Sequence, residues 1–362
     1  MTDHSQASIR PLTSWRGVFA VAILLCHCGE KAFTEMSCCG VVAYFMMSGF
    51  LMRMHHRPDA VRGASFKPFF LMRALRLYPL HWLALALLMA EVWAFSMPIT
   101  RVGTDALLPN LLLIQSYVPD EEVFFSFNTP SWFLCDLLLC YFCYPLIAIW
   151  LGKMSVKGQV CLFAALMLVY AVAMGHITDH RAVVYSHVFP PLRLYEFAMG
   201  VTLYNVYAAV APRLTTRLNF MKASLAEGAI LVLLMGLVAF SQSWSSPLKN
   251  NYNDSLMWEI PMALLILVAA FNAGREGLIG RLLCWKPLLW VGSMSLEVFM
   301  LHFVAGPIFT YLVSPLFGHF GIMVYDFFAV GQLPILLVLS WVVHRCFTRP
   351  VFAWAAKMTN NA

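Results

Sequence analysis

Apolar runs separated by short polar breaks recur along the whole chain. Ten of them have the length of a membrane-crossing helix, at roughly 15–33, 37–54, 77–98, 130–151, 159–175, 190–209, 224–242, 256–274, 288–311 and 325–346. A spanning helix needs about 20 mainly apolar residues. The breaks are plain at 55–76, a stretch rich in His, Arg and Lys, and at 152–158, 210–222 and 275–287. The stretch DALLPNLLLIQSYV (105–118) is too short to cross and is interrupted by Pro109. It reads as an interfacial or re-entrant piece. The pattern predicts an all-α membrane protein with about ten transmembrane helices.

Composition agrees. The 362 residues are 61% hydrophobic and only 12% charged, against about 25% charged in an ordinary soluble domain. Disorder, a collagen-like chain and a disulfide scaffold are excluded by the same numbers. Ten spans use about 200 residues, which leaves no room for an appended soluble domain. The first 14 residues are polar and lack the apolar core of a removable signal peptide. Residues 1–362 are therefore expected to be a single integral-membrane domain.

Charge sets the orientation. With a cytoplasmic N-terminus, inside segments hold 18 of the 24 Lys and Arg, while outside segments hold only Lys31, Arg101, Arg181 and Lys249. The positive-inside rule then places both termini in the cytoplasm. The net charge of +6 is mostly topogenic, so no nucleic-acid partner is implied. Asp105, Asp120, Glu121 and Glu122 fall in the outer loop 99–129. Cysteines lie mainly in apolar runs; Cys140 and Cys143 form a CxxC without a second pair, so no metal site is expected. A disulfide between Cys28 and Cys38 or Cys39 stays open.

Ionisable groups inside a span are costly and mark function by default. Arg16 and His27 in SWRGVFAVAILLCHCGE are eleven residues apart. That is ~20° from three whole turns, so both project from one helix face, ~16 Å apart along the axis. The alternative is a snorkelling arginine and a histidine bonded to a neighbouring helix. Ser48 and Gly49 in YFMMSGFLM read first as small residues that let helices approach. Arg73 and Arg76, one turn apart at the head of the third span, can aim two forks at a phosphate. Asp136 lies near the outer third of the fourth span and calls for a partner, for which a histidine of similar depth is natural. Glu196, Glu259, Glu297 and His302 read individually as helix–helix hydrogen bonds.

Taken in order, these stretches resemble the acyltransferase 3 family of integral-membrane O-acyltransferases, which includes bacterial cell-surface glycan O-acetylases. Arg16 and His27 fit its Arg-x10-His first helix, and Ser48, Gly49 and Phe50 its F-x-x-SGF. Arg73, Arg76, Leu77, Tyr78 and Pro79 fit R-x-x-R-h-x-P. Trp132, Phe133 and Leu134 fit a WFL opening; Glu196, Phe197 and Gly200 fit EF-x-x-G; Gly292, Ser295, Leu301 and His302 fit the final G-x-x-S and L-H signature. Where many members have W-S-L and then glutamate, this chain has WFLCD, which leaves the equivalence of Asp136 open.

The resemblance implies a multi-pass protein of the bacterial cytoplasmic (inner) membrane. It would bind acyl-CoA as a co-substrate, with acetyl the family's commonest donor group, and no permanently bound cofactor. The acyl group would pass to a hydroxyl of a carbohydrate acceptor, with glycan-assembly proteins as candidate partners. Arg16, Arg73, Arg76, Tyr78 and Ser48 would hold the coenzyme. His27 would be general base, oriented by Asp136 or Glu30. The rival reading is a polytopic transporter or flippase of a glycan or small anionic solute, with Arg16 and His27 lining its path.

Overall fold

The computed structural model describes residues 9–57, 61, 63–96, 104–177, 184–214, 219–246, 248–313, 315–316 and 328–360. It is helical, with no strand among the described residues. Each predicted run contains one long helix: α1 (Arg10–His27), α2 (Thr34–His55), α3 (Phe66–Ala94), α4 (Trp132–Gly152), α5 (Val156–Gly175), α6 (Pro190–Leu214), α7 (Phe220–Ser243), α8 (Leu256–Phe271), α9 (Ser295–Ile308) and α10 (Phe328–Val343). Eight of these, with adjoining turns, are long and apolar enough to cross a membrane; the other two are α1 and α6. Those two carry Arg10, Arg16 and His27, and Arg193 and Glu196, whose polarity lowers their hydropathy. The chain is an all-α membrane protein. Positions 97–98 and 325–327 of two predicted spans, and Arg62, Arg101, Arg181 and Arg217 of the charge count, lie outside the described residues.

Two of the helix boundaries that differ from the expectation have a plain physical reason. α1 stops at His27 rather than running to 33, because Gly29 takes φ +90°, a conformation that costs little only without a Cβ. Its N–H bonds to the Cys26 carbonyl, and the Glu30 N–H reaches back to Leu25 at 3.1 Å. That is the paired 5→2 and 6→1 closure of a Schellman cap. α3 begins at Phe66, eleven residues ahead of the predicted 77. The end of the basic segment, from Phe66, is already helical ahead of the apolar run, since charge ends a membrane span without ending a helix.

The described helices fall into two compact units, assembled from 1–19, 35–65 and 142–293, and from 20–34, 66–141 and 294–362. In the first, the SGF and EF-x-x-G motifs meet. A Cβ on Gly49 would collide with the Phe197 carbonyl, and one on Gly200 with the Met46 carbonyl. The two glycines thus allow α2 and α6 to touch backbone to backbone.

The same unit buries a polar network. Arg193 is fully buried; its Nε donates to the His187 carbonyl at 2.8 Å and its Nη1 to Glu196 Oε1 at 2.6 Å. Ser255 also donates to that oxygen at 2.6 Å, and the Tyr195 hydroxyl donates to Glu259 Oε2 at 2.8 Å. Glu196 and Glu259 are therefore helix-linking groups, as their isolated reading suggested. Losing one partner of such a pair strands a buried charge at about 3–5 kcal/mol.

In the second unit a short helix, Thr104–Leu111, returns along the flank of α3. Three donors on one face of α3 meet its last carbonyls: His81 Nε2 to Asn110 at 2.8 Å, Trp82 Nε1 to Leu111 at 3.0 Å, and the Tyr78 hydroxyl to Leu112 at 2.7 Å. Helix ends leave such carbonyls unsatisfied, and low-polarity surroundings make that expensive. Tyr78 stands 16 residues before Ala94, ~24 Å down the axis, so this turn lies beside the middle of α3. A re-entrant course fits that placement.

Candidate active site

α1 carries His27 at its last helical position, and α9 carries His302 in its interior. The two imidazoles stack with centroids 5.0 Å apart and planes at 25°. His27 Nδ1 lies 3.1 Å from His302 Nε2. Phe303 sets its edge against both rings, at 5.4 Å and 4.9 Å. His302 is 2% exposed, whereas His27 is exposed. One ring is an accessible face and the other its buried support.

The partners determine where the protons sit. His302 Nδ1 lies 2.6 Å from the Phe299 carbonyl oxygen. A carbonyl can only accept, so Nδ1 carries the hydrogen and a neutral His302 offers a lone pair at Nε2. That lone pair accepts from His27 Nδ1–H. This contact places the His27 proton on Nδ1. Nε2 of the exposed ring is left with a lone pair and can accept a proton.

The cap after α1 sets where this ring stands. Gly29→Ala is expected to cost about 1 kcal/mol of stability, read as a lower melting temperature in detergent. It should also reduce activity by turning His27 away from His302.

The partner bonded to the His27 ring in the structure is His302, rather than either of the carboxylates that the resemblance implies. Glu30 is exposed in the turn beyond the cap. Asp136 is fully buried in α4. No carboxylate among the described residues hydrogen-bonds to the His27 ring. An imidazole locked by a backbone carbonyl supplies the same acceptor without burying a charge.

The coenzyme candidates are placed as follows. Arg16 is half-buried, and its own carbonyl accepts from the Tyr44 hydroxyl at 2.5 Å. Arg73 lies over the rings of Phe69 and Tyr141, at 5.6 and 5.8 Å. Arg76 lies over Phe352 at 5.4 Å. The Tyr78 hydroxyl is engaged by Leu112, and Ser48 is half-buried beside Gly49. All ten cysteines are free; Cys28 donates to Gln332 Oε1 at 3.0 Å and Cys38 faces Asp254 Oδ1 at 3.6 Å. No group of three or more metal-ligating side chains forms among the described residues.

Fold and site thus define a multi-pass helical membrane protein with a paired-histidine centre. The acyltransferase 3 model, described as an acyltransferase domain, matches residues 12–345, and the chain belongs to that family. Acyltransferase MdmB of Streptomyces mycarofaciens is 23% identical over 321 residues, covering 81% of this chain and 78% of that protein. No solved structure matches the chain. The protein is a membrane acyltransferase.

Proposed function

We propose that this acyltransferase moves an acetyl or other short acyl group from cytoplasmic acyl-CoA to a hydroxyl of an extracytoplasmic or lipid-linked glycan. The bacterial inner membrane would be its site. The single observation that carries the chemistry is the hydrogen-bond order Phe299 carbonyl, His302, His27, which leaves a lone pair on Nε2 of the exposed residue His27.

The reaction balances with this pair alone. The acceptor oxygen attacks the thioester carbonyl carbon while His27 Nε2 takes the hydroxyl proton. The tetrahedral intermediate collapses, the carbon–sulfur bond breaks, and His27 returns the proton to the coenzyme sulfur. Products are the ester and free coenzyme A. His302 holds the ring in the competent tautomer, as the third member of a triad does. The position of His27 at the end of α1 sets the negative pole of the helix dipole beside the ring on which positive charge develops.

Arg73 and Arg76, one turn apart on α3, would hold the coenzyme phosphates from the cytoplasmic side. A guanidinium stacked on a ring, as Arg76 is on Phe352, keeps its in-plane N–H donors for a bidentate phosphate contact. Arg76→Ala is accordingly expected to raise the Michaelis constant for acetyl-CoA about tenfold or more, since a charge-assisted bond contributes about 1.5–3 kcal/mol. The turnover number should change little.

Inside-out membrane vesicles test the function as a whole. Radiolabelled acetyl-CoA supplied at the cytoplasmic face should leave alkali-labile label in the glycan fraction. Label that enters the lumen without forming an ester would favour a transporter instead.

A further inference from the structure

We infer that Gln332 is a positioning residue that holds the two histidines at bonding distance. The inference rests on the acyl-transfer reading above.

Gln332 is 3% exposed, on an otherwise almost wholly apolar face of α10. Burying a carboxamide is unfavourable unless both its ends are bonded. Here both are, one to each segment that bears a histidine. Nε2 donates to the His302 carbonyl at 2.7 Å. Oε1 accepts from the Cys28 thiol, next to His27, at 3.0 Å. The single carboxamide therefore spans α9 and the closing turn of α1, the two elements whose separation sets the 3.1 Å His27–His302 bond.

The surroundings are shaped to seat it. Gly306, four residues after His302, faces the carboxamide; a Cβ there would lie 3.3 Å from Gln332 Nε2. A Cβ on Gly331, the neighbour of Gln332, would run into the Phe309 ring. One glycine on each side thus lets α9 and α10 close together at this level. Leu336 and Val343 are the buried apolar side chains of α10 among the described residues, whereas Gln332 contributes a fixed distance.

Gln332→Leu keeps the bulk and removes both bonds. Its turnover number should fall about 10- to 100-fold with an unchanged Michaelis constant for acetyl-CoA, measured with inside-out vesicles and their endogenous acceptor. Gln332→Glu is the sharper probe. As a neutral acid it keeps a donor for the His302 carbonyl and an acceptor for Cys28; as a carboxylate it sets two acceptors against each other. Its activity relative to wild type should therefore recover as pH falls. The ratio cancels the titration of Cys28, His27 and His302, the ionisable groups packed against it. Cys28→Ser, which keeps a donor to Oε1, should stay close to wild type.

A Gln332→Leu turnover within twofold of wild type would overturn the inference, as would a Gln332→Glu ratio flat across pH. The Glu ratio decides if the Leu variant does not accumulate. A His27→Ala control separates the two readings. If it transfers normally, acyl transfer by His27 is wrong. If it is dead while both Gln332 variants match wild type, only the positioning role falls.

Discussion

His27→Ala is expected to insert and fold as wild type does, yet to transfer acyl groups about 10²- to 10⁴-fold more slowly, the usual contribution of a positioned general base. Folding should survive because the ring is exposed at a helix terminus, so its loss opens no core cavity. Binding of acetyl-CoA should also survive, since the proposed phosphate contacts lie on Arg73 and Arg76 of α3. A turnover defect with an intact donor Michaelis constant is the signature of a group that acts in the transition state. Transfer at the wild-type rate would remove His27 from the chemistry.

The second large effect is expected at His302. His302→Leu preserves an apolar filling against Phe299 and Phe303 but removes the acceptor for His27 Nδ1–H. The ring then loses both its tautomer preference and its orientation. Loss of an orienting partner in a comparable arrangement costs up to about 10⁴-fold, and a fall of about 10²-fold or more is expected here. His302→Gln, whose carboxamide oxygen can accept the same bond, should retain distinctly more activity. Equal activity of the two variants would reduce His302 to a packing role. Melting temperatures of both variants separate a local defect from a failure to fold, because a buried imidazole with two hydrogen bonds also contributes stability.

Much of this architecture was legible from periodicity. Among the described residues each of the ten apolar runs holds a long helix, eight of them long and apolar enough to cross a membrane, because the bilayer imposes one length and one solvent on every span. Arg16 and His27 both fall within the one helix, α1, that the apolar run predicts. Gly49 and Gly200 were visible as motifs, but only the fold pairs them across α2 and α6.

Other features were beyond the sequence for definite reasons. The stop of α1 was written in CGE, yet it yielded to a hydropathy pattern that cannot register a single left-handed glycine. The partner of His27 was sought among carboxylates, by analogy with charge pairing. His302 was in view as a motif residue, but which helix face it shares depends on packing between segments 275 residues apart. Gln332 gave no signal, since one amide in an apolar helix has no periodicity.

The proton order within the pair is the claim on which the mechanism rests, and nitrogen-15 magnetic resonance reads it directly. In protein labelled at histidine, with resonances assigned through His27→Ala and His302→Ala spectra, the resting His27 should show a protonated Nδ1 and a bare Nε2. His302 should show the same tautomer. A His27 ring protonated at Nε2 would contradict the account, because its exposed nitrogen would then have no lone pair with which to take a proton.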